Sequence, residues 1–582
     1  MYKKSKSSST PSLFEGISQH VGSKKAKKLD DANEWHNLFY KEITSRIDED
    51  IFSPLYEENN GRPNAPIRIL VGMLILKEGN DWTDQQLFES CNFNLLVSYA
   101  LGLSNLSDSV PSPATYYNFK LALLKYEQEE GINLLERCFQ SLTKDQILRY
   151  QISGTSVRMD SKLIHSNIAK NTRLQLCLSV LNKFYKSLDN DNVSLLNVSD
   201  KSILDEISSK SIEQYTYRLN KQSASERLEM CGGLLYRLVT LYKDLQSEEY
   251  ILLKRLWTEH FELEESEDCS QDDQNENPKP KDTKDLSGST LQSAHDPDAT
   301  YRNKLGTKPQ IVRGFVCNVT ETCGPVHTVL QVGESKEKPL CLITDVQTEK
   351  ASFSDDKFLI PAIENTRQLL QDKIVNVLTD GAYNSAINEQ LSNTDHVSFN
   401  WYITAIQGAE GYYDFEQIEE HTYKVTDRRN GNIQTTVRTP KGKYRIDEHH
   451  AKTKYRYFDQ KTITNYFRRK QLEKHPKWVS SLRANTEATI HQVFSNLNGG
   501  KSKYRGLFKH HQYALNRCFW VNFKRIQAKC LEFFKYLLKT NSEELQGFTT
   551  IFNNYFSTLL KNLVCDKILY GYFNERFIIL GF

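Results

Sequence analysis

The sequence predicts an α/β protein: a mixed sheet flanked by helices, with an all-helical N-terminal domain before it and a helical insertion within it. Three observations predict this class. Residues 34–148 place apolar side chains at helical spacing, residues 151–169 switch to a period of two, and after residue 296 apolar runs of β type alternate with a helical pattern.

Taken in order, residues 1–30 are Ser- and Lys-rich without patterning, and a flexible basic tail is expected. Residues 31–150 form the helical N-terminal domain. Pro66–Lys77 reads as an apolar helix, DWTDQQLFES opens on a cap signal, and Val110-Pro111-Ser112-Pro113 breaks the chain before TYYNFKLALLKYEQEEG resumes it. In QISGTSVRMDSKLIHSNIA, Val157 and Met159 face one way and Arg158 and Asp160 the other, which predicts a strand ending in a carboxylate. Residues 171–258 return to helical periodicity and form the insertion. Residues 259–295 are expected to be an acidic linker, because Glu259–Asp285 holds eleven acids against three Lys and almost nothing apolar.

The sheet domain then comprises 151–170 and 296–530. Its second part carries the β-type runs IVRGFVCNVTETC and VHTVLQVG, a helical pattern at 357–372, and two further apolar runs, IVNVLTDG and HVSFNWYITAIQG. Residues 420–475 are basic and polar and resist assignment. A helix is expected from about Trp478 through Leu497, and 531–582 read as a C-terminal helical segment.

Composition sets the outer limits. The chain has 582 residues with 25% charged and 38% hydrophobic, and no run nears the roughly 18 apolar residues of a membrane span. With Lys and Ser where a secretory peptide has an apolar core, a cytoplasmic protein without membrane contact is expected. The eleven cysteines are scattered with no CxxC pair, so reduced, packed thiols are expected and neither disulfides nor a zinc ribbon. The pairs His449-His450 and His510-His511 are poor metal sites, because adjacent side chains diverge. A formal charge of +2 conceals a strong asymmetry: residues 1–28 hold seven Lys and one Glu, and residues 441–530 hold 21 Lys and Arg against five acids. That field suits a polyanion.

Three carboxylates stand out. Asp380 follows the apolar run Ile374–Leu378 and precedes Gly381, the position where α/β folds bind ligands. Asp160 has the same layout on an independent strand. Glu487 lies in WVSSLRANTEATIHQVFSNL at the edge of a helical stripe, in line with Arg483. It is expected to face the interior margin, where an acid must be paired or bind a cation. Taken singly, Asp380 also reads as a helix cap and Glu487 as an ion-pair partner of Arg483. Together the three would hold Mg²⁺, or Mn²⁺. A pair of such ions roughly 4 Å apart activates a water or 3′ hydroxyl and stabilises the leaving oxygen of a phosphoryl displacement.

The sequence resembles the DDE transposases of bacterial insertion sequences. PIRILVGMLIL through VPSPATYYNF is similar to their N-terminal helical domain, RMDSKLIHSNIA to their first-aspartate strand, and DPDATYRNK to the block that re-enters the catalytic domain. VLTDGAYNS is similar to their second-aspartate strand, SLRANTEATIHQVFSNL to their final-glutamate helix, and KYRGLFKHHQYALNRCFWVNFKRI to the tail after it. The resemblance implies an RNase H-like catalytic domain with Asp160, Asp380 and Glu487 as catalytic metal ligands and Arg483 as a phosphate or DNA contact. Ser480 and Phe494 stand where relatives often carry Tyr and Lys.

Further DNA contacts are expected where cations interleave with aromatics, at Lys454, Arg456, Arg468, Arg469 and Lys470, and after Gly499-Gly500 at Lys501, Lys503, Arg505 and Lys509. This mixture suits phosphate neutralisation with stacking on unpaired bases, although such aromatics as often simply pack. The expected partners are double-stranded DNA at terminal inverted repeats and target DNA, engaged by a homodimer or larger synaptic complex. The competing expectations are an inactive or domesticated DNA-binding regulator and another RNase H-like nuclease.

Overall fold

A computed structural model of the chain describes residues 1–4, 16–57, 61–264, 277–304, 310–324, 339–370, 374–392, 398–404, 411–448, 454–475 and 477–539. In chain order the first strands are β1 (Ser156–His165), β2 (Phe261–Glu264), β3 (Asn277–Pro280), β4 (Thr300–Lys304), β5 (Gln310–Cys323), β6 (Ile343–Lys350), β7 (Asn376–Thr379) and β8 (Asn400–Ile403). All but β2 and β3 join one six-stranded mixed sheet, so the fold is α/β as expected.

The long strand β5 organises the sheet. One edge pairs antiparallel with all of β1, from Ser156↔Cys323 to His165↔Gly314, and the other carries first β4 and then β6. Gly314 sits at the handover between β4 and β6. A Cβ there would lie 2.2 Å from the Ile164 carbonyl oxygen, so this close approach requires glycine. On the far side of β1, β7 and then β8 pair in parallel. Strands so placed are covered on both faces, which is why Val377, Leu378 and Thr379 are all buried.

The helix Ile67–Gly79 is buried on nearly every side, as its unbroken apolar run dictates. It packs on the 33-residue helix Leu507–Lys539, and a Cβ on Gly79 would meet Trp520 Cδ2 at 2.3 Å. One core joins Phe39, Met73 and Phe139 of the N-terminal helices, Val319 and Ile343 of the sheet, and Leu515 and Phe519 of the long helix. That helix runs straight through the boundary expected near residue 530, and residues 540–582 lie outside the described set.

Other expectations change in detail. The insertion is six helices from Arg173 to His260 around its own core of Leu178, Leu181, Leu234, Leu253 and Leu256. The stretch expected as a linker carries β2 and β3, paired with each other, and it buries Leu291 and Ala294 in that same core. Arg255 further secures it through the Ser289 and Pro297 carbonyls. Residues 265–276 of the stretch lie outside the described set. At the N-terminus, where a tail is expected, the Tyr2 hydroxyl donates to Asp50 Oδ1 at 2.6 Å, and the helix Ser23–Asp30 buries Leu29. Residues 5–15 and the run VHTVLQVG are not described.

The segment that resists assignment contains a compact β unit. Its strands are β9 (Tyr413–Glu419), β10 (Thr422–Asp427), β11 (Ile433–Thr435), β12 (Val437–Arg438), β13 (Tyr444–Asp447) and β14 (Tyr455–Phe458), followed by the helix Gln460–Glu473. They form two three-stranded sheets, β11-β10-β9 and β12-β13-β14, around Phe415, Tyr423, Val425, Tyr444, Phe458 and Ile463. Among the described residues no helix is long and apolar enough to cross a membrane.

Candidate active site

The pairing of β1 with β7 brings the two aspartates together. The ladder matches Ser156 with Asn376, Val157 with Val377 and Arg158 with Leu378, all in parallel. Asp160 and Asp380 each lie two residues further on, so they stand side by side, facing the same way, on strands about 4.8 Å apart. The details differ from the sequence reading. Asp160 does not end its strand, because β5 keeps pairing with β1 as far as His165. Asp380 does follow the end of β7, and its Oδ1 accepts from the Ala382 N–H at 2.9 Å to open the short turn Gly381–Tyr383.

Burial is the largest influence on Asp160 and pushes its carboxyl up. The Arg483 guanidinium opposes this and the charge of Asp380 adds to it, leaving the group above its ordinary value. Beneath the pair lies Tyr383, wholly buried, whose hydroxyl donates to Asn318 Oδ1 at 2.5 Å. Burial raises that phenol far above its usual range, and Asp160, Asp355 and Asp380 raise it further, so it stays a neutral donor. Asp355 is held beside the site by Ser161 Oγ at 3.1 Å and by both terminal nitrogens of Arg302, the nearer at 2.8 Å.

The helix Lys477–Phe494 covers this face of the sheet. Among the described side chains its buried stripe is Val479, Leu482, Arg483, Thr486, Thr489, Ile490, Val493 and Phe494. Arg483, 8% exposed, reaches Asp160 Oδ2 at 3.0 Å, so the residue expected to contact DNA is paired with a carboxylate. Glu487 corrects another expectation. It falls just outside the stripe and is exposed, not held at the interior margin.

Two of the three acids are therefore gathered and one is not. Among the described residues, no three His, Cys, Asp or Glu side chains are placed to share an ion. Mg²⁺ favours oxygen donors, binds through one or two carboxylates and keeps several waters, so Asp160 and Asp380 are the residues here that could hold one. His510 and His511 do diverge: one ring bonds the Gly506 carbonyl, the other faces Glu136 and Thr348.

Sequence reasoning missed the polar hub that fixes the covering helix. Glu321 of β5, with no exposed surface, accepts from Arg158 Nε at 2.6 Å, Arg525 Nη1 at 2.7 Å and Thr489 Oγ1 at 2.8 Å. Arg158 also donates to the Leu482 carbonyl at 2.6 Å. The hub thus grips the helix at residues 482 and 489, on either side of Arg483 and Glu487. At the helix C-terminus, buried Arg517 donates to the Gln492 and Val493 carbonyls, the favoured place for a cation. Signals did exist: an acid inside the apolar run of β5, and Arg158 sharing a face with Asp160.

The expected DNA-contacting cations divide. Lys454, Arg456 and Lys509 are exposed and Arg469 is half-buried. Arg468, 16% exposed, pairs with Glu389 at 2.7 Å, Lys470 with Glu473 at 3.2 Å, and Lys503 with Asp81 at 2.6 Å. Lys501 and Arg505 donate to the carbonyls of Ile168 and Asn167.

Residues 27–121 match the family model described as "Transposase domain (DUF772)". No curated protein and no solved structure matches the chain. The matched segment lies in the N-terminal helices, the ones that share a core with the sheet and the long C-terminal helix.

Proposed function

We propose that the protein is a DDE-type DNA transposase with an RNase H-like catalytic domain. It cuts DNA at the terminal inverted repeats of its element and joins the freed 3′ ends to target DNA, acting as a homodimer or larger synaptic complex. The observation that carries this reading is the parallel register that sets Asp160 beside Asp380 under the helix bearing Arg483 and Glu487. The transposase-domain match supports DNA as the substrate.

Asp160 and Asp380 would hold Mg²⁺ or Mn²⁺, and Glu487, exposed in this structure, would have to turn inward to join them as the third acid. When bound, the metal activates an oxygen nucleophile and offsets charge on the phosphodiester. The remaining work belongs to the chain's own groups. Burial and mutual repulsion make the aspartate pair a poor place for two uncompensated charges, so the pair favours a cation. Arg483 keeps a guanidinium at Asp160, where a scissile phosphate would have to lie. The Glu321 hub holds the helix carrying Arg483 at a fixed setting against β1. Lys454, Arg456 and Lys509 supply phosphate contacts from the surface, with half-buried Arg469 beside them, and Lys470, Lys501, Lys503 and Arg505 would engage DNA from within their present contacts.

The test is a cleavage and joining assay with Mg²⁺, a labelled duplex carrying the element's end and a target plasmid. The expected result is a nick exposing a 3′ hydroxyl at the end, followed by a joined product, both abolished in Asp380→Asn while DNA binding persists. Binding without cleavage by the native chain would indicate a regulator. Cleavage without joining, with preference for RNA–DNA hybrids or junctions, would indicate another nuclease.

A further inference from the structure

We propose that the outer face of the β12-β13-β14 sheet binds unpaired DNA bases by stacking. The proposal rests on the reading that the chain acts on DNA, and it is independent of the carboxylates.

The register separates the two faces of this sheet. Tyr444 lies opposite Phe458, and both point into the unit's core with Ile446. On the opposite face Arg445 stands between Val437 on one side and Tyr457 on the other, and Tyr455 lies two residues along the same strand. Tyr455 is 38% exposed, Tyr457 48% and Val437 55%. The Arg445 guanidinium lies 4.4 Å from the centre of the Tyr455 ring, and the two tyrosine rings are 6.5 Å apart. The neighbouring helix shows what packing alone would do: Tyr466 and Phe467, from the same aromatic-rich sequence, are folded against the core.

The charge around the face identifies the occupant. Lys441, Lys443 and Lys454 are exposed at the turns beside this face, whereas Arg438 and Arg456, paired with Tyr444 and Ile446, are exposed on the other face. Of the two adjoining acids, Asp447 is exposed at one end, while Glu448 is engaged by Arg429 and Tyr413. Two exposed rings with Arg445 between the strands and lysines at the adjoining turns fit a polyanion with flat apolar faces. In a duplex those faces are stacked on one another and a protein meets edges and phosphates, so the rings of this sheet match unpaired nucleotides instead. Arg445, planar and already lying on a tyrosine, extends the same surface.

The test uses the full chain in EDTA, so that no cleavage occurs, with a single-stranded oligonucleotide carrying a fluorescent aminopurine base and the same sequence as a duplex. The native chain is expected to quench the aminopurine in the single strand. Replacing both Tyr455 and Tyr457 by Ala should weaken single-strand binding on the order of tenfold or more and abolish the quench, with duplex affinity changed by less than about twofold. Phe at both positions should retain the quench. Arg445→Ala gives a second reading with both rings left in place and should weaken the single strand several-fold. Undiminished single-strand binding by the Ala variant, or equal losses on single strand and duplex, would overturn the proposal. A catalytically dead Asp380→Asn chain should still quench, which separates failure here from failure of the transposase reading.

Discussion

The covering helix with its long C-terminal partner and the small β unit are both rich in cations, and they use them in opposite ways. In the first region Arg483, Arg517 and Arg525 are buried or nearly so, bound to Asp160, to helix-end carbonyls and to Glu321. In the second, Lys454 and Arg456 face solvent and Arg445 lies on an exposed tyrosine. A charge count over 441–530 adds the two together, but only the exposed set projects a field toward a polyanion. The buried set organises the site instead.

The largest effect is expected at Glu321. Glu321→Gln leaves Arg158 and Arg525 in the interior without their counter-charge, and removing one member of such a cluster costs about 3–5 kcal/mol. Urea unfolding at pH 7 should show a loss of that size. A change below about 1 kcal/mol would mean that these arginines behave like surface groups, whose pairs are worth no more than that.

Asp345 sharpens the same contrast with a smaller effect. It is buried like Glu321, but among the described residues its hydrogen-bond donors are the amides Asn365 Nδ2 at 2.9 Å and Gln347 Nε2 at 2.7 Å. Burial raises its carboxyl to about 7; Glu136 pushes the same way and His511 the opposite way. Between pH 4 and 7 the folded chain therefore keeps a proton that the unfolded chain releases, so this group's contribution to stability falls as pH rises through that window. Its contribution amounts to a few kcal/mol, since each tenfold change in proton affinity is worth about 1.4 kcal/mol. Denaturation across that range should show a steeper decline for the native chain than for Asp345→Asn; parallel curves would refute the assignment.

The legible and illegible parts of the sequence follow the same physical division. Asp160 and Asp380 are readable because a period of two and an apolar run each locate a strand, and a shared parallel sheet then sets their register. Arg158 is visible on the face of Asp160, but its partner Glu321 lies 163 residues away, and only the β1–β5 ladder brings the two together. Glu487 is misplaced by the sequence pattern because helical periodicity fixes a stripe only to within a residue, and this acid falls just beyond it. The small β unit escapes because its strands are two to seven residues long and its core is largely aromatic, so neither period develops. Arg468 and Lys503 look available for DNA in the sequence because Glu389 and Asp81, their partners, are remote along the chain.

Those cations provide the smallest effect and the closest test. Removing one phosphate contact lowers the slope of log affinity against log salt by about 0.9 on duplex DNA. Arg456→Ala and Lys454→Ala, which remove exposed charges, should each reduce the slope by roughly that amount and weaken binding several-fold at low salt. Arg468→Ala should leave the slope unchanged, because its guanidinium is 16% exposed and already neutralised at Glu389. Lys503→Ala is the intermediate case: its ion pair with Asp81 is half exposed, and such a pair opens at a cost of less than about 1 kcal/mol. If all four variants lowered the slope equally, the internal pairs would have to open on DNA, and the division between organising and DNA-facing cations would reduce to a count of charges. A fall confined to Lys454 and Arg456 would mean that the free chain already presents its DNA-facing surface.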